Sequence, residues 1–246
     1  MKLVALEGMG PIYLLDRHPV FPAPTQANEE GLLAMGGDLS VDRLLEAYRH
    51  GIFPWYEAGE PILWWSPDPR AILETAELRI SRSLRAVLRR GDFDVRYDTA
   101  FDQVIHACAT TARRDQEGSW ISTEVRAAYT ALHDLGVCHS VEIWHGDELV
   151  GGLYGVCLGS CFFGESMFSR QSNASKVALV GLARRLTALG IGLIDCQIVS
   201  EHLLSLGAKN VPRSEFLRRL DEAVRHPASR GSWAGYSGEL RAQADG

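Results

Sequence analysis

The 246-residue sequence has no apolar run near the roughly 18 residues that a membrane span needs, and its first fifteen residues lack a basic start followed by a continuous apolar stretch. The expectation is a cytoplasmic chain, neither exported nor anchored. Its five cysteines, Cys108, Cys138, Cys157, Cys161 and Cys196, are odd in number and form no C-x-x-C pair. That indicates neither a disulfide framework nor a zinc ribbon and fits a reducing compartment. Positive charge is not in excess either: 25 Lys and Arg stand against 31 Asp and Glu, a net charge of −6. A general basic coat for nucleic acid is excluded, so any polyanion contact must be focal. There is no internal repeat and no low-complexity tract. What is present is 46% hydrophobic and 23% charged residues, the balance of a folded globular protein with a sizeable core.

Residues 1–70 are rich in proline and glycine punctuation, including Phe21-Pro22-Ala23-Pro24, Gly36-Gly37 and Ser66-Pro67-Asp68-Pro69. Proline fixes φ and removes a donor, so this part reads as turns and extended loops around one short helix. That helix starts after Ser40, shows Leu44, Leu45 and Tyr48 on one face, and stops at Gly51. The division expected is a small N-terminal domain, 1–70, and a larger domain, 71–246.

In the larger part the periodicity predicts helices over 81–90, 99–111 with Asp98 as its cap, and 123–135 after Ser122. Residues 139–145 alternate as a strand, Gly146-Asp147 turns, 148–155 returns antiparallel, and 157–163 reads as a third strand. A helix capped by Ser175 with a broad apolar face ends at Gly190. Residues 191–199 form a buried strand, 201–206 follow, and a last helix runs from about Glu215 to Val224. The tail after Pro227 reads as poorly packed. Strands followed by helix and strand give an α+β or α/β sheet with helices against it.

Four features could carry chemistry. Gly164-Glu165-Ser166-Met167-Phe168-Ser169 places a carboxylate at the end of a strand, suited to orienting an amine or to capping the following helix. Asp195-Cys196-Gln197 puts Asp195 and Gln197 on one strand face, as a ligand-facing pair or as satisfied buried groups. A rival reading makes Cys196 a nucleophile with His202 as its base, although a strand cysteine is more often inert core. Arg79, Arg82, Arg85, Arg89 and Arg90 fall in a stretch without acidic residues. Arg82, Arg85 and Arg89 share a helical face that could meet successive phosphates or simply lie in solvent. Phe53, Trp55, Tyr56, Trp64 and Trp65 could stack on bases or form the core of a small domain.

Together, G-G-D-L-S (36–40), G-I-F-P-W-Y (51–56), I-L-W-W-S-P-D-P-R (62–70), G-E-S-M-F-S (164–169), N-A-S-K (173–176) and I-D-C-Q (194–197) resemble the leucyl/phenylalanyl-tRNA protein transferase family, in family order from about Gly31 to Pro212. The resemblance implies α+β architecture, with a small N-terminal domain and a GNAT-like (acyl-CoA N-acyltransferase-like) mixed sheet flanked by helices. It implies an aminoacyltransferase that moves Leu or Phe, with Met a third candidate, from Leu-tRNA or Phe-tRNA to the α-amine of proteins beginning with Arg or Lys. The product is an N-degron for protein degradation. A monomer without metal, acyl-CoA or other cofactor is expected.

By the same resemblance Glu165, Asp195 and Gln197 form the catalytic group, with Gln197, polarised by Asp195, holding the attacking amine. Glu165 or Asp195 supplies the negative subsite for the acceptor's basic side chain. Trp55 and Trp120, the latter in G-S-W-I (118–121), stack on the tRNA 3′ end, and Arg79, Arg82, Arg85, Arg89 and Arg90 hold the acceptor stem. Met167, Phe168, Leu182 and Leu186 form the aminoacyl side-chain pocket; some members carry phenylalanine at the two helix positions, which leaves Leu against Phe preference open. Two other classes stand beside this one. An ordinary GNAT acetyltransferase would need a glycine-rich pyrophosphate turn, absent from S-R-Q-S-N-A-S (169–175). A non-catalytic tRNA-binding module would bind without forming a peptide bond.

Overall fold

The structure is a computed structural model that describes residues 1–6, 10–111, 119–227 and 231–236. The chain builds two sheets in succession. The first contains β1 (Lys2–Leu6), β2 (Gly10–Leu15), β3 (Leu32–Gly36), β4 (Phe53–Pro54) and β5 (Leu63–Trp65), in the order β1-β2-β3-β5-β4, with α1 (Val41–Arg49) between β3 and β4. The expected helix is there, but its surroundings are strands rather than loops. Pro54 is tolerated because β4 is an edge strand with one side free of ladder bonds. The aromatic run divides between its two readings: Trp64 is fully buried and donates its indole N–H to the Gly36 carbonyl at 2.9 Å, whereas Trp55 is 40% exposed.

The second sheet begins at β6 (Arg70–Glu74) and takes in β7 (Asp94–Tyr97), β8 (Cys138–His145), β9 (Glu148–Leu158), β10 (Cys161–Ser169), β11 (Leu193–Gln197) and β12 (Lys209–Val211). Its order is β12-β6-β11-β10-β9-β8-β7, antiparallel except for β10 beside β11. Its helices are α2 (Arg82–Arg90), α3 (Phe101–Thr110), α4 (Thr123–Asp134), α5 (Ala174–Ala188), α6 (Glu201–Ser205) and α7 (Arg213–Val224). The core of α1, α3, α4 and α7 lies on one face; that of α2 and α5 lies on the other. This is the mixed sheet with flanking helices, of α+β type, anticipated from the order of elements. Among the described residues no helix is long and apolar enough to cross a membrane.

Several boundaries move for physical reasons. The apolar run 157–163 is two strand ends around a reversal at Gly159-Ser160, so the Gly164 to Ser169 motif lies within β10 rather than after a strand. Gly155 of β9 is required there, because a Cβ would come 2.2 Å from the Phe163 carbonyl oxygen. Asn173, at φ 70°, precedes α5, so Ser175 is inside the helix and not its cap. Asp98 does not cap α3; it turns to the Ser140 and Trp233 amides and the His139 ring. Glu142, from β8, instead accepts the Thr99 and Ala100 N–H groups. Part of the tail is packed, not loose: Trp233 is 2% exposed. Residues 237–246 and Gly118 lie outside the described residues.

Candidate active site

The site arises where the parallel strand pair of the second sheet comes apart. β10 and β11 are registered over Cys161, Phe162 and Phe163 against Leu193, Ile194 and Asp195, and beyond these residues both strands depart from regular pairing. The irregularity falls between Gly164 and Ser166 against β9, and between Asp195 and Gln197 against β6. A bulge re-aims the next side chain and bends its strand. Between the separating ends lies a cavity of about 470 Å³, walled by Glu165, Gln197, Trp55, Trp120, Phe53 and Tyr154 and by apolar residues from β9, β10, β11 and α5.

Glu165 sits at the β10 irregularity and is enclosed by neutral donors. Gln197 Nε2 donates to its Oε1 at 3.0 Å and the Tyr129 hydroxyl to its Oε2 at 2.9 Å, with Tyr48 hydrogen bonded to Tyr129 behind it. Burial pushes its pKa up to about 7; the tyrosine and glutamine donors oppose the rise and the Asp195 charge adds to it. A carboxyl titrating there can gain or lose a proton at neutral pH.

Asp195 is differently placed. It is fully buried and bidentate with Arg70, Nε to Oδ1 at 2.8 Å and Nη2 to Oδ2 at 2.6 Å. The Arg70 guanidinium is stacked between Phe53 and Phe216, 4.8 and 4.7 Å from their centroids. Asp195 does not reach the cavity wall, and it does not share a face with Gln197. Its Oδ1 accepts the Gln197 backbone N–H at 2.9 Å, and Gln197 takes φ 61°, in the left-handed region that a non-glycine residue rarely occupies. The turn carries the amide away from Asp195 and onto Glu165. Asp195 therefore acts on the backbone of Gln197 rather than by polarising its amide.

Of the expected side-chain pocket, Met167 and Leu182 line the cavity, joined by Leu153, Phe162, Leu179 and Ile194. Phe168 and Leu186 do not. Strand alternation turns Phe168 to the opposite face of the sheet, beneath the Arg170 guanidinium, and Leu186 is one turn past Leu182 in closed core. Cys196 and His202 are both on the wall, but burial, with Asp195 adding to it, raises the Cys196 thiol well above its ordinary value. It is an inert thiol, not a poised thiolate. Arg79, Arg82, Arg85, Arg89 and Arg90 are all exposed; Arg90 pairs with Asp92 at 2.8 Å and Arg85 Nε donates to the Ile80 carbonyl. The Arg79 amide bonds the Leu206 carbonyl, which joins this basic segment to α6, whose His202 and Leu203 line the cavity.

Sequence reasoning missed Arg70, Tyr48 and Tyr129. Arg70 ends the quoted I-L-W-W-S-P-D-P-R motif, but its partner is 125 residues away. The two tyrosines occupy apolar positions of α1 and α4 and look like ordinary core.

Residues 72–221 match the family described as leucyl/phenylalanyl-tRNA protein transferase, and residues 37–68 match the N-terminal domain of the same family. A leucyl/phenylalanyl-tRNA–protein transferase of Syntrophus aciditrophicus is 56% identical over 224 residues, covering 91% of this chain and 94% of that one. A protein of the same name from Xanthomonas axonopodis pv. citri is 51% identical over 238 residues, covering 95% and 96%. Among solved structures, a GCN5-related N-acetyltransferase-like protein from Streptococcus suis is 16% identical with a TM-score of 0.34, covering 65% of this chain and 59% of that one. L-PGS from Bacillus licheniformis is 10% identical with a TM-score of 0.38, covering 70% and 57%. With a family model matched over most of its length and relatives more than half identical over at least nine-tenths of it, the chain belongs to the leucyl/phenylalanyl-tRNA protein transferase family.

Proposed function

We propose that this aminoacyltransferase moves Leu or Phe from the 3′ end of aminoacyl-tRNA to the α-amine of proteins that begin with Arg or Lys, at the cavity between β10 and β11. The observation that carries the reading is the meeting, in one cavity, of a near-neutral carboxyl, two tryptophans and an apolar chamber. The terminal adenosine stacks on Trp55 and Trp120, each ring worth about 1–3 kcal/mol per base without sequence readout. The amino-acid side chain enters the chamber of Leu153, Phe162, Met167, Leu179, Leu182 and Ile194. The exposed face of α2 meets the acceptor stem.

In the reaction the acceptor nitrogen bonds the ester carbonyl carbon and the bond to the ribose oxygen breaks. Gln197 Nε2 is committed to Glu165, so its amide oxygen is the atom that receives the amine N–H. Ionised Glu165 takes the amine proton, which ends on the departing ribose oxygen. The acceptor attacks as the neutral amine, and as the C–N bond forms its nitrogen becomes cationic and more acidic than a free α-ammonium, which titrates near 7.7–8.0, so a carboxylate near 7 can take the proton. Because Arg70 neutralises Asp195, Glu165 is the carboxylate that faces the acceptor's basic side chain. The product displays Leu or Phe at its new N-terminus, an N-degron.

The test is transfer of labelled Leu and Phe from charged tRNA to two peptides that differ only in an N-terminal Arg or Ala. Label on the Arg peptide alone is the expected result; label on neither removes the proposal.

A further inference from the structure

The segment 231–236 is a strap laid across the second sheet, and it touches the walls of the apolar chamber from outside. Trp233 is 2% exposed, and its ring centroid is 6.0 Å from that of Phe162, which lines the chamber from β10. Trp233 itself does not reach the cavity. The guanidinium of Arg185, three residues along α5 from Leu182, lies over both Trp233 and Tyr236, at 5.5 and 4.3 Å from their centroids. Two sides of the chamber, the Phe162 wall and the α5 wall, thus share one outer layer.

The strap is fastened by groups that have no part in the chemistry. The Trp233 backbone N–H donates to Asp98 Oδ2 at 2.6 Å, and the indole stacks on His139 at 3.9 Å with an interplanar angle of 3°. His139 is tied to the same carboxylate at 2.8 Å. Tyr236 packs edge-on against Tyr97 at 5.2 Å, and the Tyr97 hydroxyl donates to the Gly181 carbonyl of α5 at 3.1 Å. At the other end the Gly231 N–H bonds the Gly136 carbonyl, and a Cβ on Gly136 would sit 2.6 Å from the Gly231 nitrogen. Among the described residues neither the indole N–H of Trp233 nor Nε2 of His139 has a hydrogen-bond partner, so ring packing rather than a directed bond sets where the indole stands.

We propose that Trp233 is a positioning residue that fixes the depth of the aminoacyl chamber: it backs Phe162, and through Phe162 it selects side-chain size. The inference rests on the chamber being the aminoacyl side-chain site. Interiors are close-packed, and a large-to-small change leaves a void that neighbours fill only in part. With the indole gone, Phe162 can retreat and the chamber deepens.

The test compares the full chain with Trp233→Ala, Trp233→Phe and Tyr236→Ala. Transfer is measured from tRNA charged with Leu, Phe and Trp, and binding is measured for adenosine mimics carrying the same three amino acids through a stable amide. In Trp233→Ala the Phe-to-Leu and Trp-to-Leu ratios should rise about fivefold in both assays, less than the roughly tenfold or more of one methylene in contact with the substrate, because Trp233 acts only through Phe162. Trp233→Phe should stay near the wild type, and Tyr236→Ala should shift the ratios in the same direction by about twofold. A purely structural role would lower all three amino acids by one factor and leave the ratios unchanged, which overturns the proposal; so do unchanged ratios in every variant. If the wild type labels no peptide, the transferase reading fails, while the binding ratios still decide the role of Trp233.

Discussion

The two carboxylates at the separating ends of β10 and β11 occupy regions of opposite character. Around Asp195 the region is closed: a guanidinium held between two phenylalanine rings matches its charge and leaves no surface toward the cavity. Around Glu165 the region is open, and its bonded partners are uncharged hydroxyl and amide groups. Burial without a matching cation is what raises Glu165 to about 7, whereas the pairing with Arg70 makes Asp195 part of the scaffold. The difference teaches that two acids close in the fold can divide the work: one holds the backbone turn at Gln197, and the other lines the cavity.

The strongest way to break this contrast is to unpair Asp195. Arg70→Met leaves a buried charge without its partner and should cost about 3–5 kcal/mol of stability, read as a fall in the urea midpoint, and Arg70→Met with Asp195→Asn should recover part of it. A loss below about 1 kcal/mol would place the pair with solvent-screened ion pairs instead.

The next test acts on the open side. Glu165→Gln should lower transfer about 100-fold, and it should alter the pH profile as well. With ionised Glu165 as the proposed base, wild-type transfer should rise with pH through about 7 and again as the acceptor amine deprotonates; the variant should keep only the second rise. Stability moves the other way. The folded pKa exceeds the ordinary value near 4.3, so the wild type loses stability as pH rises from there to about 7. Urea midpoints at pH 5 and pH 8 should therefore show the variant gaining on the wild type at the higher pH.

The smallest effect is expected away from both acids. Arg82→Ala with Arg85→Ala should weaken tRNA binding and flatten the logarithmic salt slope by about 1 to 2, leaving the pH profile of transfer intact. An unchanged slope would remove α2 from the tRNA surface.

How much of this was legible in the sequence varies with the range of the interaction. α2 and α4 begin where Ser81 and Ser122 accept the Leu84 and Val125 N–H groups, α1 begins after Ser40 although that side chain makes no capping bond, and all three end just before glycines, because caps and C-terminal glycines act over a few residues. The strands β7 and β12 escaped notice because they are short, and their pairing lies with β8 and β6, distant in sequence. In β10 the alternation that separates Met167 from Phe168 depends on where the chain reverses and where the bulge falls, and the apolar run 157–163 concealed both. At Gln197 strand alternation pointed to the Asp195 face, but a left-handed residue overrode it.

The sequence by itself determined the family, through motifs whose order and spacing survive without coordinates, and with it the reaction class and the candidate residues. It also determined the local helices, whose signals are carried by neighbouring residues. Only the tertiary structure decided which acid is silent and which is poised, because that depends on Arg70, 125 residues from Asp195, and on Tyr129, 36 residues from Glu165. Charge matching and burial belong to the packed arrangement, and no linear spacing encodes them.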